Sequence, residues 1–164
     1  MRKPFIFFEK LKEWEIIVPL LYGILTFLIF NNVEEAGSFI SMYVILSQLF
    51  LYLFLYVSLR NFTTYLIWCA FALIHAVLYF KLKDNPALQM YRGNEASGLI
   101  NTIILLVLFQ LLRFFSFKIQ GREFVAPSKN GIDLFENKSV TYADYTICLI
   151  YMIVGFGLYA YELK

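Results

Sequence analysis

Five stretches of this chain run long without a charge, at about residues 15–30, 38–59, 62–82, 99–117 and 143–161, and the charged residues gather at their ends. A bilayer's hydrocarbon core, about 30 Å thick, takes about 20 helical residues, and most of these runs match that length. The pattern predicts an all-α fold. It is read as a polytopic integral membrane protein, a five-transmembrane-helix bundle forming one domain over 1–164.

The polar positions inside these runs predict which faces meet protein. In the third run, Tyr65, Cys69, Ala72, Ala76 and Tyr79 share one helical face with His75 at its edge, and Leu66, Ile67, Ala70, Ile74, Val77 and Leu78 lie opposite. Because it carries the chain's one histidine, this run is expected to be the segment around which the others are arranged. The second run has a stripe of Ser41, Ile45, Gln48, Tyr52 and Leu59. The fifth has the longest, Asp144, Cys148, Tyr151, Gly155, Tyr159 and Glu162, with Ile147 assigned to a lipid face. Small and polar residues on one side are what membrane helices use to pack, because lipid is already as apolar as leucine.

Between the runs, the punctuation differs from place to place. In the leader, residues 1–14, Phe7, Leu11 and Trp14 recur at helical spacing, which predicts an amphipathic interfacial helix. Arg60-Asn61 is a tight turn between antiparallel neighbours. Pro86, Gly93 and Gly98 break the 83–98 segment into an irregular loop. The longest polar stretch, 118–142, carries Gly121, Pro127 and Asn130-Gly131 as turn signals, yet also Phe124, Val125, Ile132, Leu134 and Phe135. It is expected to form a hairpin or membrane-skimming loop, with those five apolar residues as partner-docking candidates.

Composition sharpens the class. The chain is 60% hydrophobic, 20% aromatic and 16% charged, too apolar for a soluble domain of 164 residues. A net charge of +2 gives no reason to expect nucleic acid. Arg and Lys set the orientation. With the N-terminus inside, the inner segments hold ten (four in the leader, Arg60, and five from Arg113 to Lys138) and the outer segments four, Lys81, Lys83, Arg92 and Lys164. The positive-inside rule therefore places the N-terminus and the 118–142 loop in the cytoplasm and the C-terminus outside. The expected setting is a cell membrane, a bacterial inner membrane, crossed several times.

Candidate chemistry is thin. The intramembrane polar candidates are Gln48, His75, Asn101 and Gln110, since polar groups in hydrocarbon are costly and often functional. Gln48, His75 and Gln110 are expected near one depth, as a polar path or as interhelical glue. Arg113 and Asp144 are expected to pair with one another at the cytoplasmic ends of the fourth and fifth runs. Asp133, Glu136 or Asp144 with Arg122 could serve chemistry on a lipid-linked substrate. A metal site is not expected, because there is no second histidine and Cys69 and Cys148 are not spaced as ligands. Neither a cofactor motif nor a catalytic motif such as GxSxG, HExxH, CxxC or Walker is present.

The sequence thus favours a non-catalytic integral membrane subunit of a larger membrane protein complex. Its expected partners are membrane lipids and other membrane protein subunits, docked through the helix stripes and the cytoplasmic loop. A small-solute, ion or proton transporter is the alternative, and a membrane-embedded enzyme acting on lipid-linked substrates a further one.

Overall fold

The computed structural model describes residues 4–32, 39–90, 93–128 and 131–162. It is mostly helical, 72% of the chain, with five helices, of which four are long and apolar enough to cross a membrane. They are α1 (Glu13–Asn31), α2 (Phe39–Leu53), α3 (Phe62–Leu82), α4 (Asn101–Gln120) and α5 (Tyr142–Glu162). Short 3-10 turns precede α3 and α4, and a two-residue hairpin, Gln89–Met90 with Gly93–Asn94, lies between them. The expected boundaries hold closely for α3 and within three residues at each end for α1, α4 and α5.

Helix α2 is the exception. It is 15 residues long, about 22 Å at 1.5 Å per residue, and short of a bilayer on its own. The run expected to continue to residue 59 instead leaves the α-helix at Leu53. Leu55 N–H reaches back five residues to the Phe50 carbonyl at 3.2 Å, Leu59 N–H binds the Leu55 carbonyl at 2.8 Å, and Ser58–Arg60 closes as a 3-10 turn. The break lets Leu55, Tyr56 and Leu59, all buried, turn towards the loop after α4.

Burial ranks the helices differently from the polar pattern. Helices α2 and α4 form the interior, contributing Leu51, Tyr52, Leu105, Leu106 and Phe109 to the main core with Trp68 and Tyr151. Helices α1, α3 and α5 form the perimeter, with broad apolar faces outward. Although α3 lies at the perimeter by burial, it touches α1, α4 and both 3-10 turns, in keeping with the central place expected of it. Its buried stripe is Thr64, Trp68, Ala72 and His75, which makes His75 part of the centre of the inner face rather than its edge. On α5, Asp144, Cys148 and Tyr151 do face protein, but Ile147 is buried among them. Helix α1 packs mainly on α3, leaving an apolar groove of about 870 Å³ between α1 and α2.

The leader is not helical over residues 4–12; α1 begins only at Glu13. Specific backbone partners override the helical spacing of its apolar residues. Asn61, which caps α3 by accepting from Thr63 N–H at 3.2 Å, also accepts from Glu9 N–H and donates to the Glu9 carbonyl, both at 3.1 Å. Phe62 N–H binds the Phe7 carbonyl at 2.9 Å. An extended strap can offer those groups sideways, whereas a helix would consume them internally.

Candidate functional site

The first polar cluster is built on His75, and four helices converge there. Nε2 lies 2.8 Å from the Tyr43 hydroxyl of α2 and 3.1 Å from the Tyr22 hydroxyl of α1. Nδ1 lies 2.9 Å from Thr102 Oγ1 of α4. Thr26, one turn on from Tyr22, donates to the Tyr22 carbonyl at 2.7 Å and shares a 2.8 Å contact with the Tyr43 hydroxyl. The donors can be ordered. Thr26 gives its proton to the carbonyl, so Tyr43 gives its own to Thr26 and its oxygen accepts from His75 Nε2–H. Nδ1 then accepts from Thr102. In this order the one Nε2–H is shared between the Tyr43 and Tyr22 oxygens. Both ring nitrogens are satisfied inside the bundle, which is the arrangement of a clamp tying four helices together.

The other intramembrane amides lie elsewhere. Gln48 donates to the Gly98 carbonyl at 2.8 Å, holding α2 to the turn before α4. Asn101 is buried one residue from Thr102. Gln110 accepts from Arg113 at 3.3 Å. Thr102 and Gln110 are eight residues apart on α4, about 12 Å of rise. Gln48, His75 and Gln110 therefore do not form one layer. The residues that do surround His75 (Tyr22, Thr26, Tyr43 and Thr102) carry no local signal of it in the sequence. Tyr43 in particular reads as an interfacial anchor but is buried.

The second cluster closes the end that carries the leader and the α4–α5 loop. Arg113 and Asp144 are both ion-paired, but not with each other. Arg113, fully buried, grips Glu123 with Nε at 2.9 and 2.8 Å from its two oxygens and Nη2 at 2.5 Å. Its Nη2 also donates to the Phe5 carbonyl at 2.7 Å, and the guanidinium lies over the Phe5 ring at 4.7 Å. Asp144 takes Arg122 at 2.7 Å, Gln120 at 2.9 Å and the N–H groups of Val125 and Thr141 at 3.2 and 2.9 Å. It forms a reciprocal cap on α5, since Thr141 Oγ1 in turn accepts from Asp144 N–H at 3.3 Å. The expected pair fails because Gly121, in the left-handed conformation at φ 65°, turns the chain so that residues 122 and 123 reach back to both helix ends.

Arg60 is the second buried cation here. It donates to Glu136 and to the Phe124 carbonyl, both at 2.6 Å. Burial alone would push the Glu136 carboxyl up, but Arg60 and Lys138 beside it win and hold it below the usual 4.5. Asp133 accepts from the Tyr56 hydroxyl and from Glu136 N–H at 2.6 Å. The three carboxylates considered for lipid-linked chemistry are thus each engaged in holding the loop.

The loop itself is hairpin-like, with antiparallel bridges Pro127–Asp133 and Ile132–Ser139. Phe124 and Val125 are completely buried and so are not a docking surface. Phe124 plugs the bundle between Tyr52, Tyr56 and Phe109, with ring centroids 5.4 to 6.3 Å away. Ile132, Leu134 and Phe135 do face outward, with Phe54 beside Phe135.

Between the leader and this loop lies a cleft of about 670 Å³. Lys10, Lys12, Arg60, Arg122 and Lys138 line it, together with Glu9, Glu15, Glu123 and Glu136. Among the described residues no group of three or more His, Cys, Asp or Glu side chains is placed to hold a metal. No family model, curated protein or solved structure matches this chain, so what it can do rests on the geometry of its own two polar clusters and the groove beside them.

Proposed function

We propose that this chain is a non-catalytic subunit of a larger membrane assembly. It crosses a bacterial inner membrane five times, α2 doing so together with the segment that continues it to the 3-10 turn Ser58–Arg60, with the leader and the 118–142 loop in the cytoplasm and the C-terminus outside. The observation that carries this reading is the groove between α1 and α2. Leu25, Ile29, Met42, Leu46, Phe50 and Leu53 line it, and it runs along two helices that meet through Tyr22, Thr26 and Phe30 against Tyr43 and stand apart beyond that contact. In a bundle held by van der Waals packing, a helix standing off its neighbour gives up contact area that a partner's transmembrane helix can supply. The inward-facing polar and charged groups meanwhile serve the fold. His75, Arg113, Asp133 and Asp144 are each tied to several internal groups, which leaves no convergent set aimed at a reacting atom.

Transport through the bundle fits less well, since the polar groups near His75 end in a closed clamp rather than a path. The orientation rests on the excess of Lys and Arg at the loop-bearing end.

The test is extraction of the tagged protein from its native membrane in mild detergent, followed by sizing. The expected result is a stoichiometric companion, lost when Leu46→Trp fills the groove while helix content is retained. A monodisperse monomer without a companion overturns the proposal.

A further inference from the structure

The hairpin between α4 and α5 turns three apolar side chains outward, Ile132, Leu134 and Phe135, at 45, 43 and 52% exposure. They continue an apolar surface that begins on α2. Phe50 of α2 stacks on Phe54 with ring centroids 5.4 Å apart, and Phe54, also exposed, lies 6.4 Å from Phe135. Phe50 and Phe54 are in turn part of the lining of the groove between α1 and α2. The hairpin tip thus adjoins the outward side of α2 where that helix has stopped, about 22 Å along a hydrocarbon core of about 30 Å.

The charges of the hairpin point the other way. Asp133 is buried and accepts from the Tyr56 hydroxyl, and Glu136 is held by Arg60 and Lys138. The backbone of the tip is closed as well, since four successive amide hydrogens find acceptors inside the protein. Asp133 N–H binds the Lys138 carbonyl at 2.8 Å and Leu134 N–H the Ala126 carbonyl at 3.2 Å. Those of Phe135 and Glu136 bind the Asp133 carboxylate at 3.3 and 2.6 Å. A turn in water can leave such groups to the solvent, whereas one that meets acyl chains has to satisfy them internally.

We propose that this tip dips into the lipid leaflet at the loop-bearing end, with Ile132, Leu134 and Phe135 packed on acyl chains beside Phe54. Lys138, exposed on the same hairpin, reaches back to the headgroups. This placement presupposes that the long helices cross a membrane, and it gives the surface to lipid rather than to another subunit. An outward apolar side backed by inward charges is what seats a segment at the boundary of headgroups and chains.

Nitroxide labels test it in the purified full chain, reconstituted in nanodiscs of phosphatidylcholine and phosphatidylglycerol. With Cys69→Ala and Cys148→Ala as background, single labels are carried by Leu134→Cys, Phe135→Cys, Ile153→Cys and Asp84→Cys. All four positions are exposed, so the labels leave the core intact. Relaxation by oxygen, which concentrates among acyl chains, is compared with relaxation by a nickel chelate confined to water. At 134 and 135 oxygen should prevail, as at 153 on the outward face of α5, with the order reversed at 84, just past the far end of α3. Nickel prevailing at 134 and 135 while oxygen prevails at 153 means a wet loop. That overturns the proposal and leaves the transmembrane reading standing. Low access to both relaxants means that a second copy covers the tip, and overturns it too. Nickel prevailing at 153 as well removes the membrane placement, and the dipping tip with it. A second arm keeps both cysteines and replaces Phe135 by photoreactive benzoylphenylalanine. Irradiation should add one lipid mass to the chain, with none added from the same group at 84. No lipid adduct, or equal adducts at both positions, overturns the proposal.

Discussion

Replacing Arg113 with methionine tests the pairing that organises the loop-bearing end. Its side chain is 1% exposed and its partner Glu123 is 16% exposed. With charge centres about 4 Å apart and an effective dielectric of about 20, the attraction is about 4 kcal/mol. Removing either partner alone leaves the other buried and uncompensated, so Arg113→Met and Glu123→Gln should each destabilise by about 3–5 kcal/mol. The double variant should be scarcely worse than Arg113→Met, a coupling of about 2–4 kcal/mol. The control is Arg113→Met with Asp144→Asn, which should add to within about 0.5 kcal/mol, since Asp144 belongs to Arg122. Unfolding in mixed micelles, followed by the fluorescence of buried Trp68, measures all of these. A coupling near zero for Arg113 with Glu123, or a larger one for Arg113 with Asp144, would refute the assignment.

Three further outcomes follow from the same geometry. His75→Leu removes three interhelical contacts, and at about 0.6 kcal/mol each it should lower stability by about 2 kcal/mol in the same unfolding assay. Thr102→Val should lose about a third of that. Phe124→Ala should destabilise by about 3–5 kcal/mol because it empties a sealed aromatic contact, whereas Phe135→Ala, half exposed, should change stability by less than about 1 kcal/mol. Acidification should weaken the loop. The Glu136 carboxyl sits below its ordinary 4.5 in the fold, so its contribution is present above that value and is lost as pH falls through the folded value. Glu95 runs the other way, since burial raises its carboxyl, and its stabilising share is lost as pH climbs past 4.5. A titration of stability should therefore flatten on its acid limb in Glu136→Gln and not in Glu95→Gln.

Much of the helical layout was legible from the residues, because bilayer length and charge placement leave few alternatives. Helix α3 was bounded by Asn61 and Lys83 in the pattern and in the structure alike. The stripe on α5 was also legible, apart from Ile147, because polar residues recur along most of its length. What escaped depends on contacts distant in sequence. Nothing local marks Tyr43 as a partner of His75, 32 residues away. Nothing in the periodicity of Phe7, Leu11 and Trp14 announces that Glu9 and Phe7 will bond to the start of α3. Arg113 and Asp144 do lie at one end of the bundle and are both ion-paired, as their residue types suggest. They do not pair with each other because one left-handed glycine, Gly121, brings Glu123 and Arg122 within reach first. Phe124 and Val125 read as surface hydrophobes for the same reason.

The strap also sets an order of events during synthesis. Glu9 is held by Asn61, 52 residues later, and the Phe5 carbonyl by Arg113, 108 residues later. The bonds of Phe7 and Glu9 can form only once the start of α3 has been made, and that of Phe5 only once α4 has followed. The strap is thus fastened in two stages, the first reporting that α3 has begun and the second that α4 has arrived.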